Sequence, residues 1–85
     1  MSTFWSAAMI YIEIASSDGG ERLRDAAARY LLRAIGHWGV TDPDRLEQGL
    51  EGLGIAADIE MAEDGTLHAV VLPLAVVLAD EREAA

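Results

Sequence analysis

The two histidines, His37 and His68, are the side chains of this chain best suited to bind a metal ion or to move a proton near neutral pH. They stand far apart in the sequence, and the chain contains no cysteine that could complete a ligand set. We therefore expect no zinc site and no thiolate chemistry, and we interpret His68 as a surface or structural histidine.

A calcium loop is the second possibility, because Asp42, Asp44 and Glu47 supply closely spaced carboxylates. Pro43 interrupts this run, and the glycine and terminal glutamate of an EF-hand loop are not at the required positions. Capping of a helix explains the two aspartates better, so we predict no metal site here.

A phosphate-binding turn is suggested by the serines and glycines of residues 16–20. Asp18 and Glu21 lie in the same stretch, and their negative charges would repel a phosphate. We therefore predict no phosphate-binding cofactor, and no other cofactor is indicated.

Catalysis by an activated serine is not indicated, because the chain has no nucleophile-elbow motif. General acid–base catalysis would need a carboxylate in an unusual environment, and Glu13, within an otherwise apolar stretch, is the one candidate. We predict that the protein is not an enzyme; an enzyme using Glu13 in a closed pocket is the alternative.

The charge is strongly negative: 15 acidic residues against 6 basic ones give a net charge of −9, and every basic residue is an arginine. Direct binding to nucleic acid or to an anionic membrane is disfavoured, since both depend on lysine and arginine at the contact. A basic protein surface is the favoured partner, because an acidic face steers association toward it.

The acids concentrate after Trp38, where residues 34–85 hold eleven acids and only two arginines. In the second predicted helix they are spaced by three and four, which places them on one face. If the surfaces of this region adjoin, the predicted partner-binding residues are Asp44, Glu47, Glu51, Asp58, Glu60, Glu63 and Asp64.

Four arginines gather in the preceding segment: Arg22, Arg24, Arg29 and Arg33. Guanidinium groups match carboxylates with two parallel hydrogen bonds. We expect these arginines to pair with the acidic surface, within the chain or between chains, rather than to bind phosphate.

The elements that must position these residues begin with an apolar stretch from Trp5 to Ala15, predicted as one central strand, with a helix as the alternative. Asp18 and Glu21 have the spacing of a capping box and predict a helix start. The apolar stripe of that helix comprises Leu23, Ala27, Tyr30, Leu31, Ala34 and Trp38.

A second, short helix is predicted after the Asp42–Pro43 cap, with Leu46, Leu50 and Leu53 as its apolar ridge. The alternation from Ile55 to Met61 predicts a strand, and the Asp64–Gly65 pair predicts a hairpin. The return strand is expected to run from Leu67 to about Ala79, with an edge, bulge or break at Pro73.

The predicted fold is a single small acidic α+β domain over residues 1–85. It has a mainly antiparallel three-stranded sheet, in the order strand, helix, helix, strand, strand, and its helices pack on one face. The other face would expose more apolar surface than a soluble monomer usually shows, which predicts a homodimer. The residues assigned to this self-association are Met9, Tyr11, Val71 and Leu74.

Two functions fit these features. The first is a non-catalytic module that covers a basic protein surface, in its sharpest form a nucleic-acid mimic that inhibits a nucleic-acid-handling protein. In size and charge, though in no motif, the chain is similar to small phage-type inhibitors such as anti-CRISPR proteins. The alternative is a homodimeric accessory, assembly or antitoxin-like protein that recognises its partner through the apolar strand face.

The expected location is the cytoplasm. The first residues lack the basic segment of a signal peptide. The longest uncharged apolar run, residues 69–79, is too short to cross a membrane as a helix, which needs about 20 residues.

Overall fold

The computed structural model describes the backbone of residues 2–7, 9–16 and 20–84 and the side chains of residues 3–7, 9–16 and 20–79. Within these residues the chain forms a four-stranded mixed sheet and three helices. The elements are β1 (Ser2–Ala7), β2 (Ile10–Ser16), α1 (Gly20–Gly36), α2 (Pro43–Glu51), β3 (Ile55–Met61), β4 (Leu67–Pro73) and α3 (Leu74–Ala84). The α+β class is therefore confirmed.

The sheet order is β1-β2-β4-β3, with β2 and β4 parallel at the centre and an antiparallel partner on each side. The parallel pair requires a crossover, which α1 and α2 provide. The prediction of three mainly antiparallel strands is wrong, because it missed both the additional strand and the parallel pairing.

The core lies between one face of this sheet, the inner face, and the helices α1 and α2. Ile12 and Ile14 of β2 and Val71 of β4 are completely buried there. Leu31 of α1 and Leu46 and Leu50 of α2 are buried against them. Directly paired residues share a face of a sheet, so the opposite, outer face carries the alternate residues of every strand. None of the described side chains on that outer face is buried.

The missed strand is β1, which pairs with β2 as a hairpin in the register Trp5↔Ile12 and Ala7↔Ile10. The sequence suggested one continuous strand because this stretch contains none of the glycine, asparagine or aspartate residues that normally mark a tight turn. The turn instead places Met9 in the left-handed region, at φ 68°. A methionine there is strained relative to glycine, so the sequence carried no local sign of the turn.

The return strand ends earlier than predicted. Pro73 closes β4, and α3 follows directly from Leu74. Of the edge, bulge or strand break predicted at Pro73, the structure shows the strand break. The residues after it form a continuous apolar run, whose periodicity does not distinguish strand from helix. The Leu74 amide donates to the Gly54 carbonyl at 2.9 Å, which joins the start of α3 to the start of β3.

Helix α1 buries a face slightly rotated from the predicted stripe. Ala27, Leu31 and Ala34 are fully buried as expected. Ile35 is also buried, whereas Trp38 lies beyond the helix end with 56% of its surface exposed. The proposed cap at Asp18 lies outside the described residues.

Helix α2 begins as predicted, with Asp42 as its N-cap and Pro43 in its first turn. The Asp42 carboxylate accepts from the Asp44 amide at 3.2 Å. The helix ends at Glu51, so Leu53 is not part of its buried ridge and is 59% exposed. The predicted β3–β4 hairpin is confirmed, with Gly65 in the left-handed region of its turn.

Gly49, in the interior of α2, faces the ring of Tyr30 on α1. A Cβ atom built at position 49 would overlap the ring and hydroxyl of Tyr30. Glycine lowers the helix propensity of α2, and this close approach explains why a glycine is nevertheless found at position 49.

We expect Gly49→Ala to destabilise the protein by about 1 kcal/mol, because displacing Tyr30 costs more than the gain in helix propensity. In a Tyr30→Ala background the same change should stabilise it, by up to about 1 kcal/mol. Urea unfolding of the four proteins in this cycle measures both effects. Equal stabilisation in the two backgrounds would contradict the packing argument.

Candidate functional site

The seven predicted partner-binding carboxylates border strand β3, which forms one edge of the sheet. Asp58 and Glu60 lie on the outer face of β3, and Glu63 and Asp64 lie in the turn that follows it. The other three belong to α2. We call this set the acidic edge: Asp44, Glu47, Glu51, Asp58, Glu60, Glu63 and Asp64.

Glu47 connects α2 to the edge of β3. Its carboxylate Oε2 accepts a hydrogen bond from the Ile59 backbone amide at 3.2 Å. That amide belongs to an edge strand and has no neighbouring strand on its open side. Because Asp44 and Glu51 follow the spacing of three and four from Glu47, the acidic row of α2 runs along this edge. Glu47 is therefore partly structural, whereas Asp44 and Glu51 are exposed.

The acidic edge has no cation from its own chain within ion-pair distance, counting the side chains of residues 3–7, 9–16 and 20–79. The predicted pairing of these carboxylates with the arginines of α1 is therefore not found within the described chain. Arg24 instead is buried, with Glu21 at 3.9 Å from its guanidinium group. Arg22, Arg29 and Arg33 are exposed.

Asp64, in the turn after β3, is held by hydrogen bonds from Thr66. The Thr66 amide donates to the Asp64 carboxylate at 2.9 Å. This bond, together with one from the Thr66 hydroxyl and the nearby charge of His68, lowers the pKa of Asp64 below its usual 3.8. Asp64 therefore stabilises the turn while it remains ionised.

The outer face of the sheet carries exposed apolar side chains. Phe4 is 60%, Tyr11 65% and Val70 43% exposed, on three neighbouring strands. The four residues predicted for self-association do not lie on one surface. Tyr11 lies on this face, Met9 is almost fully exposed in the β1–β2 turn, and Leu74 is half-buried at the start of α3. Val71 points into the core and is completely buried, so it does not lie on an exposed strand face as predicted; the neighbouring Val70 does.

A polar row of Glu13, His68 and Glu60 crosses the middle of the outer face. These residues are in register on β2, β4 and β3, and Phe4 of β1 lies beside Glu13. His68 Nδ1 lies 2.8 Å from Glu13 Oε1, and both side chains are partly exposed. The parallel pairing of β2 with β4 creates this contact between residues 55 positions apart. No residue near Glu13 or His68 in the sequence indicates this contact, because it depends on the parallel pairing of their strands.

A groove on the helical side of the molecule is the feature that sequence reasoning missed. It lies beside the second half of α1 and the loop after α2. Tyr30 and Trp38 meet edge to face in it, with ring centroids 6.3 Å apart. We call it the cationic groove, and its lining includes Arg29, Tyr30, Arg33, His37, Trp38 and Leu53. The spacing of Arg29, Arg33 and His37 by four residues was the signal that could have indicated it.

Metal chemistry receives no support from the described residues, where no three metal-ligating side chains come together. None of the described helices combines the length and apolar character needed to cross a membrane. Searches for similarity to protein-family models, to curated proteins and to solved structures give no match.

We expect the pKa of Asp64 to lie below 3.8 and to rise toward that value in Thr66→Val, which removes the hydroxyl and retains the amide. The stabilisation from a lowered carboxyl pKa is complete above 3.8 and disappears as the pH falls through the lowered value. Carboxyl NMR titration measures the pKa directly. Thr3→Val, on a distant strand, is the control, and an equal rise in that variant would refute the assignment.

Proposed function

We propose that this protein is a non-catalytic acidic binding domain whose acidic edge covers a basic surface on a protein partner. The observation that carries this proposal is the gathering of seven carboxylates around β3, none of which has an ion-pair partner among the described side chains. Helix α2 supplies three of them beside the edge, β3 supplies Asp58 and Glu60 on the outer face, and the turn after β3 supplies Glu63 and Asp64.

The electrostatic cost of this arrangement supports an external partner. Like charges at helical spacing destabilise a protein by about 0.2–0.5 kcal/mol per close pair. Arginine or lysine side chains of a partner would relieve that repulsion. They would also be attracted over distances near the Debye length, about 8 Å at physiological ionic strength. A basic partner would therefore associate faster with this protein, and partners with acidic surfaces would be disfavoured.

The finer form of the proposal is a nucleic-acid mimic. Proteins that handle nucleic acid present rows of arginine and lysine that neutralise successive phosphates. A strand edge bearing carboxylates on both sides offers such a surface a series of negative groups in place of the phosphates. The protein would then inhibit its target by competing with the nucleic acid.

The test starts with a basic partner recovered from the native host, whose binding to its own nucleic acid is then measured with and without this protein. We expect competition, and we expect Asp58→Lys with Glu60→Lys to weaken binding of the partner at least 10-fold, or about 1.4 kcal/mol. These two side chains are exposed and make no described ion pair, so the double variant should retain the fold. Glu47 is unsuitable because it holds the Ile59 amide.

The matched control is Asp25→Lys, on an exposed position of α1, compared with Asp58→Lys alone so that the change in net charge is equal. It should weaken binding much less than the acidic-edge variant. Equal weakening would mean that total charge, rather than the acidic edge, attracts the partner. An affinity that does not fall with added salt would contradict electrostatic recognition altogether.

A second candidate function is a homodimeric accessory or antitoxin-like protein that uses the outer face. It is favoured by the exposure of Phe4, Tyr11 and Val70 on three adjacent strands. Exposed apolar surface of this kind commonly marks a protein interface. The polar row of Glu13 and His68 would lie inside such an interface and restrict its register.

We expect Phe4→Ser with Tyr11→Ser to weaken self-association at least 10-fold in sedimentation measurements at micromolar concentration, because the two aromatic anchors are removed. Met61→Ser is the control, since Met61 is 42% exposed but lies on the inner-face side of β3. Undiminished self-association of the double variant would exclude the outer face as the interface.

A further inference from the structure

A small cavity lies at the edge of β3, between helices α2 and α3. Its volume is about 290 Å³. Small-molecule sites usually measure about 300–1,000 Å³, so this cavity suits one long side chain better than a larger ligand. The residues that line it are Glu47, Glu51, Ala56, Ala57, Leu74, Val77 and Leu78. Helix α2 therefore contributes carboxylates to the cavity, whereas α3 and β3 contribute aliphatic side chains.

The aliphatic side of the cavity is only partly covered by the rest of the chain. Leu74 and Val77 are half-buried, and Leu78 is 46% exposed. Removing such apolar surface from water is favourable, and the hydrocarbon chain of a ligand would do so. This side therefore favours a ligand with an aliphatic segment.

The side formed by α2 offers hydrogen-bond acceptors. Glu51 is exposed and has no ion-pair partner among the described side chains. Glu47 accepts from the Ile59 amide through Oε2, and an ionised carboxylate keeps further lone pairs on both oxygens. These acceptors favour a cation that donates several hydrogen bonds, since charge-assisted hydrogen bonds are the strong ones.

The backbone of β3 provides a third acceptor. In an antiparallel pair, the amide and the carbonyl of one residue are directed to the same side of the strand, and those of the next residue to the opposite side. The Ile59 amide is directed to the open side, where Glu47 accepts from it. Ala57 lies two residues earlier on the same strand and lines the cavity, so its carbonyl is directed to that side and can accept from the same cation.

One class of ligand satisfies both sides of the cavity. The carboxylates would repel an anion. An uncharged apolar ligand would remove water from the carboxylates without replacing its hydrogen bonds, which is costly. A small inorganic cation would leave the aliphatic side uncovered. Lysine and arginine side chains combine an aliphatic stem, which covers apolar surface, with a cationic head that donates hydrogen bonds.

We propose that this cavity receives one lysine or arginine side chain of the basic partner. The stem lies along Leu74, Val77 and Leu78, and the head donates to Glu47 and Glu51. This inference rests on the function proposed above, because the partner supplies the side chain. The exposed carboxylates of the acidic edge attract the partner, and the cavity fixes the position at which it binds.

The test uses the protein alone and two probes: n-butylammonium, which reproduces the lysine side chain, and n-propylguanidinium, which reproduces that of arginine. Titration followed by backbone amide NMR measures the Kd and locates the site. We expect shifts at Glu51, Ala57 and Val77, and the tighter probe identifies the preferred side chain. Ammonium and n-butanol should bind at least 10-fold more weakly, because each lacks one half of the ligand.

Two variants each remove one side of the cavity. Glu51→Gln should weaken binding of the tighter probe by about 5-fold, near the upper limit for an exposed ion pair. Leu78→Ala should weaken it by a similar factor, because the stem loses apolar contact. Asp44→Asn and Leu53→Ala are the matched controls, since both residues are exposed and lie outside the cavity lining. Both controls should bind the probe like the unmodified protein.

The proposal is overturned if neither probe shifts these amides, if ammonium or n-butanol binds as tightly, or if Glu51→Gln and Leu78→Ala bind the probe normally. Binding of the partner separates this result from the function proposed above. A partner that binds Glu51→Gln with Leu78→Ala normally, but loses affinity for Asp58→Lys with Glu60→Lys, would support the acidic edge and overturn the cavity. Loss of affinity in neither double variant would contradict both.

Discussion

The parallel pairing of β2 with β4 is the constraint on which the rest of the molecule depends. Parallel neighbours cannot be joined by a tight turn, so the chain between them must cross one face of the sheet. Helices α1 and α2 make that crossing and bury Ile12, Ile14 and Val71. Because both crossover helices lie on the inner face, neither of them covers the outer face.

That arrangement also separates the charges. Helix α1 carries exposed arginines on its outer surface, whereas α2 lies next to β3 and brings its glutamates to the sheet edge. The strand and the helix at this edge come from adjacent parts of the sequence, residues 43–61, so an acidic segment of the chain becomes an acidic surface. Among the described side chains, the arginines of α1 and the carboxylates of the acidic edge therefore make no ion pair with one another.

Local signals in the sequence were sufficient for some elements and insufficient for others. The Asp42 cap, the β3 alternation and the Asp64–Gly65 turn each follow from residues close together, and the structure contains all three. The β1–β2 turn could not be predicted, because Met9 occupies a conformation normally reserved for glycine. The Glu13–His68 contact and the cationic groove depend on which strands and helices become neighbours, and a single sequence does not specify that.

The carboxylate of Glu47 has a consequence for how sheets of this protein can join. Edge strands readily recruit further strands through their free backbone groups, and continued recruitment produces fibres. Here Glu47 accepts from the Ile59 amide, so that amide cannot donate to an added strand, whereas β1 at the other margin of the sheet pairs with β2 alone. If strands were added only at the β1 margin, growth would stop once two copies had paired there, and the assembly would be finite.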